Sequence, residues 1–201
     1  MQNNLNRRSV LAGIGAGAAT LAVSGPALAL NTDQARVLID RLVGEINGVI
    51  NSGKSESAML RDFERVFSRY ADVPIIARSA LGVAARSASS AQLRAFTSAF
   101  QGYISRKYGR RFREFIGGRL EVQEARAVKS FYEVKTTAFL RGSSPFEVIF
   151  LVSDKSGRDL FFNLYIEGVN MLATERTEIG AMLDRRKGDI DAVTQDLAKA
   201  G

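Results

Sequence analysis

The chain has 201 residues, 46% of them hydrophobic and 24% charged, with a formal net charge of +7. It contains no cysteine and no histidine. That excludes disulfides, thiol catalysis and zinc–cysteine sites, and with them histidine metal sites and all histidine-based triads or acid–base schemes.

Residues 1–29 read as an export leader. Arg7 and Arg8 precede an apolar, glycine- and alanine-rich run at 11–23, followed by Pro26 and a small-x-small signature at Ala27, Leu28 and Ala29. The run is shorter than the roughly 20 residues that span a bilayer, so a cleaved signal is expected rather than an anchor. Arg7, Arg8, Ser9, Val10 and Leu11 resemble the twin-arginine motif, and a general secretory signal would read almost the same. Residues 30–201 are then a single domain. With no cysteine to lipidate, it is expected to be soluble in the periplasm. Removing the two leader arginines from 28 basic residues leaves 26 against 21 acidic ones, a net charge near +5. Outside the cytoplasm such a charge suits an anionic membrane surface or an acidic protein better than nucleic acid.

From Leu30 on, the first elements are helical. Asn31, Thr32 and Asp33 are candidate caps for a helix with Val37, Leu38, Leu42, Ile46, Val49 and Ile50 on one side, ended by Asn51-Ser52-Gly53. A second helix is predicted over 55–70 with Met59, Leu60, Phe63, Val66, Phe67 and Tyr70 inward, and Pro74 opens a short third carrying Ile75, Ile76, Ala80 and Leu81. Residues 89–118 read as one long helix. Leu93, Phe96, Phe100, Ile104, Tyr108, Phe112 and Phe115 step by three or four along one face, Ser89 and Gln92 have capping-box spacing, and Gly117-Gly118 stops it. So long an aromatic stripe needs a sheet or several helices to cover it, and the second half of the chain offers the sheet.

After Gly118 the period falls to two. Strands are predicted at about 119–128, 131–141, 146–154 and 158–166, joined by short turns that suit an antiparallel meander. Beyond Gly168 helices return, with Ile179, Met182 and Leu183 before Gly188, then Asp189 capping a last helix with Ile190, Val193 and Leu197. The expected fold is α+β: N-terminal and C-terminal helices packed on a four-stranded, mainly antiparallel curved sheet.

No GxSxG, SxxK, Walker or dinucleotide motif is present, so an enzyme is not expected. Two features invite function. Phe146, Val148, Phe150 and Val152 line one face of the third strand while Ile149 and Leu151 lie on the other, and Leu160, Phe162, Leu164 and Ile166 alternate in the next. A strand buried on both sides accounts for this, and so does an apolar cavity between sheet and helices. Arg106, Lys107, Arg110, Arg111 and Arg113 form a basic block, readable as a solvated helix face or as a contact for a partner or for anionic headgroups.

In order, Asp72-Val73, Ile76-Ala77-Arg78, Leu81-Gly82, Phe96 and Phe100, Tyr108-Gly109, Tyr132-Glu133-Val134 and Ile166-Glu167-Gly168-Val169 together resemble the MlaC family of periplasmic phospholipid-binding, toluene-tolerance proteins. The likeness spans nearly all of the mature chain. It departs at Asp159 and Asn163, where relatives carry Trp and Asp, and at Asn170, where they carry Ser. The resemblance implies a monomeric carrier without cofactor, a mixed sheet and helices enclosing acyl chains, with the headgroup near the mouth. Its implied partners are an inner-membrane ABC transporter with a mammalian-cell-entry-domain ring and an outer-membrane lipoprotein complex, in service of outer-membrane lipid asymmetry. A related branch carries hopanoids, which makes a hopanoid the alternative cargo. A small-molecule enzyme on a cone-shaped α+β scaffold and a structural adaptor are the alternatives of other kinds. The expected lipid contacts are Val134, Phe146, Val148, Phe150, Phe162, Leu164 and Ile166 on the sheet, faced by Ile76, Leu81, Phe100 and Ile104.

Overall fold

The computed structural model of the chain describes residues 30–110 and 112–200. The leader expected at 1–29 and Arg111 lie outside the described residues. Helix α1 (Thr32–Ile50) starts at a complete capping box, in which the Gln34 amide donates to Asn31 Oδ1 and the Asn31 amide to Gln34 Oε1, both at 2.9 Å. Helix α2 (Glu56–Tyr70) follows, then α3 (Val73–Leu81), capped by Asp72 with proline in its first turn. A 3-10 turn at Gly82–Arg86 leads to α4 (Ser90–Gly109), which opens on the Ser89–Gln92 capping box.

The long helix is shorter than its periodicity suggests. It ends at Gly109, and the pattern resumes as a separate turn, α5 (Phe112–Phe115). Glycine is a poor helix former, and the cations at 106, 107, 110, 111 and 113 set like charges three and four residues apart, so the stretch breaks where both act together. Its cover is made of helices: α4 packs mainly against α2, α3 and the C-terminal helix at Ile190–Lys199 rather than against the sheet.

The sheet runs β1 (Arg119–Val128), β2 (Phe131–Phe139), β3 (Phe146–Ser153), β4 (Leu160–Ile166) and β5 (Val169–Asn170) in sequence order, every pair antiparallel. The four expected strands are joined by a fifth of two residues, too short to carry a period. It is made by a tight turn with positive φ at both Glu167 (+49°) and Gly168 (+79°), the geometry that matches strand twist in a two-residue hairpin. A single parallel bridge, Ala71 to Phe161, is all that makes the sheet mixed among the described residues. At the start of β1 only glycine fits: a Cβ on Gly118 would stand 2.5 Å from the Phe139 carbonyl oxygen.

Helix α1 covers β1 and β2, and Asn47 fixes its register on the edge strand. Its Nδ2 donates to the Leu120 carbonyl at 3.0 Å and its Oδ1 accepts from the Leu120 amide at 2.9 Å, which satisfies edge groups otherwise open to pairing. After β5 come α6 (Met171–Arg185), capped by Asn170, and α7 (Ile190–Lys199), capped by Asp189. No described helix is long and apolar enough to cross a membrane.

Candidate functional site

The helices stand off the β3 and β4 side of the sheet and leave a cavity of about 380 Å³. Ligand pockets are commonly roughly 300–1,000 Å³. Its floor is the helix-facing side of β3 and β4, with Phe146, Val148, Phe150, Phe161, Leu164 and Ile166. Leu42 and Ile46 of α1 and Phe63, Val66 and Phe67 of α2 form one wall, and Ile76, Ile104, Met171 and Leu172 close the other side. Glu114 and Glu167 are exposed and Phe115, Leu140 and Phe146 half-buried, which places the mouth at α5, the β2–β3 loop and the β4–β5 turn.

Of the expected contacts, Ile76, Ile104, Phe146, Val148, Phe150, Leu164 and Ile166 lie in this wall. Leu81, Phe100 and Val134 do not. Phe100 is stacked on Phe96 at 5.9 Å inside the helical core, Leu81 is buried at the end of α3, and Val134 lies in the fully buried middle of β2, on the two strands that α1 covers. Phe162 also lines the cavity, but from a bulge. β4 has a bulge, so Val152 pairs with Phe161 and Leu151 with Asn163. The extra residue turns Phe161 inward, against Phe67 and Phe150 at 6.2 and 5.5 Å, while the Phe162 ring packs edge-on to Phe131 on the other face at 5.8 Å. The α2 aromatics, the other group missing from the expected contacts, were visible as a buried helix face but not as cavity wall.

The wall is not all carbon. Glu175 of α6 is 3% exposed, and its Oε1 accepts from Lys107 Nζ at 2.8 Å and from the Tyr108 hydroxyl. Its Oε2 is buried and accepts from no group among the described residues. Lys107 also donates to Glu178 Oε2 at 2.6 Å, and Tyr103 donates to the same oxygen at 2.7 Å. Two helices that pack mainly on other partners are thus tied by side chains across the cavity wall. Burial, then the Glu175 bond, pushes the Tyr108 hydroxyl well above the usual phenol range, and burial followed by Glu178 pushes Tyr103 up to about 12. Burial alone would lower Lys107, but the bonds to Glu175 and Glu178 outweigh it and hold its ammonium above the usual range. Burial likewise opposes the Glu178 charge, yet Lys107 and Tyr103 hold that carboxyl below its usual value.

Asn163 is the remaining polar wall group. Its Oδ1 accepts from the Leu172 amide at 3.1 Å and its Nδ2 donates to Asn170 Oδ1 at 3.0 Å, so both asparagines fix the start of α6. No described cluster of carboxylates is arranged to hold a metal ion.

The basic block divides. Arg106 donates to the carbonyls of Leu197 and Ala200 at 2.6 and 2.8 Å and so caps the C-terminus of α7. Lys107 belongs to the glutamate cluster. Arg110 is exposed, Arg111 lies outside the described residues, and so does the side chain of Arg113.

A family model described as MlaC protein matches residues 40–199. Among solved structures, a phospholipid-binding protein from Ralstonia solanacearum, determined in complex with a phospholipid, is similar with a TM-score of 0.70 at 16% identity, over 82% of this chain and 95% of that one. At that identity the likeness carries the fold. No curated protein matches the chain.

Proposed function

Since the chain belongs to the MlaC family, we propose that it is a periplasmic carrier that holds the acyl chains of a phospholipid in its cavity and moves the lipid between the inner and outer membranes. The observation that supports this most is the cavity itself: its floor and most of its walls are aliphatic and aromatic, and it opens at one end on exposed polar residues. The phospholipid bound to the similar Ralstonia protein is in keeping with that reading. At about 0.8 kcal/mol per methylene, two chains of roughly 15 methylenes cost on the order of 20 kcal/mol to bring into water. A carbon-lined cavity offsets most of that, leaving exchange with a membrane complex near balance, with direction set by the partners.

Those partners are, in this reading, an inner-membrane transporter complex and an outer-membrane lipoprotein complex. Arg110, Arg111 and Arg113 are the proposed contact with an acidic partner or an anionic membrane surface, because no described lysine or arginine lines the cavity. Reversing the three to glutamate is expected to slow transfer of labelled phospholipid from donor to acceptor vesicles, and high salt should do the same to the parent, since exposed charges are screened over about 8–10 Å. Absence of protein-accelerated transfer by the parent itself counts against the carrier.

A second reading, an enzyme for small molecules, is favoured by one observation, the Glu175 carboxylate in the wall. Among the described wall residues, Tyr108 is a tyrosine held neutral and Asn163 is bonded to the α6 backbone. Recovery of chemically unaltered lipid after incubation with the protein decides between the two.

A further inference from the structure

We propose that the cavity selects lipids whose polar end carries a primary ammonium, and that Glu175 is the residue that receives it. This rests on the carrier reading and names the class of headgroup. The chain is strongly basic, yet among the described residues the charged groups in the cavity wall are all glutamates: exposed Glu114 and Glu167 at the mouth and buried Glu175 one turn beyond Met171 at the start of α6. The Glu175 cluster sets two carboxylates, its own and that of Glu178, against the one ammonium of Lys107. Among the described residues, Arg106 is bonded to the end of α7, and the Arg176 guanidinium lies against Gly82.

Glu175 Oε1 is fully used by Lys107 and Tyr108, whereas Oε2 is buried and has no donor among the described residues. A buried carboxylate oxygen without a donor is costly. The cluster therefore lacks one hydrogen-bond donor and one positive charge. A primary ammonium at the cavity wall supplies both once the Glu175 side chain turns its buried Oε2 toward the cavity. A trimethylated ammonium supplies charge without a donor, and an anionic glycerol headgroup supplies donors with the wrong charge.

The test uses the mature protein, stripped of lipid and loaded from vesicles containing equal parts of dioleoyl phosphatidylethanolamine, phosphatidylcholine and phosphatidylglycerol, with bound lipid read by mass spectrometry. Phosphatidylethanolamine is expected to exceed each of the others roughly ten-fold, as a charge-assisted hydrogen bond implies. The Glu175→Gln variant should bring the three bound lipids to near parity. Should that variant fail to fold, the parent loaded with mono-, di- and trimethylated phosphatidylethanolamine gives the same information, since the preference should persist until the last N–H is gone. Equal uptake of all three headgroups overturns the inference and leaves the carrier standing, with Oε2 then satisfied by water. Uptake of none of them overturns the carrier reading instead.

Discussion

Leu164 lies in the middle of the cavity floor, half-buried and paired with Phe150 across β3. An aspartate there places an unpaired charge against carbon, so Leu164→Asp is expected to lower bound lipid roughly ten-fold or more. A circular dichroism spectrum matching the parent must accompany that loss, and full retention of lipid by the folded variant would remove Leu164 from the site. At the other end of the fold, Leu30 is 4% exposed, its amide donates to Asp154 Oδ2 at 3.1 Å and its carbonyl accepts from Tyr132 at 2.6 Å. A cut after Ala29 turns that amide into an ammonium facing a carboxylate. Asp154→Asn should then cost the cut protein about 1 kcal/mol, a few degrees in its melting midpoint, and the uncut chain less. Calorimetry of both forms checks this. Single residues were also where the sequence was least legible. Strict alternation put Phe162 at the cavity and Phe161 away from it; both line it, and the bulge that brings Phe161 in is marked by no local signal.

Among elements, the strands and most helices were legible, but the end of the long helix at Gly109 and the elements that cover it were not. The capping boxes of α1 and α4 and the meander β1–β4 follow from local spacing. That the α4 stripe is covered by α2, α3 and α7 depends on how helices pack in three dimensions, which its own periodicity does not contain. The same limit hid the seam between α4 and α6. Lys107 looked like one more cation of a solvated face, and only the fold brings Glu175 and Glu178 to it. That seam has a pH window. The Glu178 contribution is complete above its ordinary value of 4.5 and is lost as pH falls through the lowered folded value. The Lys107 contribution is complete below 10.5 and is lost as pH rises through the raised folded value. Glu178 is 45% exposed, so its share is under about 1 kcal/mol. Hydrogen exchange in the first half of α6, corrected for intrinsic rates, should rise below about pH 4. Glu178→Gln should flatten that rise, and an unchanged profile would mean the seam is held by apolar packing alone.

For the molecule as a whole, the fold class, the cavity between sheet and helices, and the family were legible because alternating apolar strands with apolar residues on both faces need a roof, and the ordered short motifs identify which one. The contrast between a basic chain and a cavity wall whose described charged residues are all acidic was not legible, because Glu114, Glu167 and Glu175 are scattered in sequence and meet only when β4, α5 and α6 converge. The central claim is that the cavity of about 380 Å³ is a lipid site and not an incompletely filled core. Intact mass spectrometry under native conditions, on protein isolated without added lipid, addresses it most directly. The account predicts a mass above that of the chain by one diacyl phospholipid, lost on organic extraction. A hopanoid mass would keep the carrier and change its cargo, while folded, freshly isolated protein at the mass of the bare chain would contradict the account.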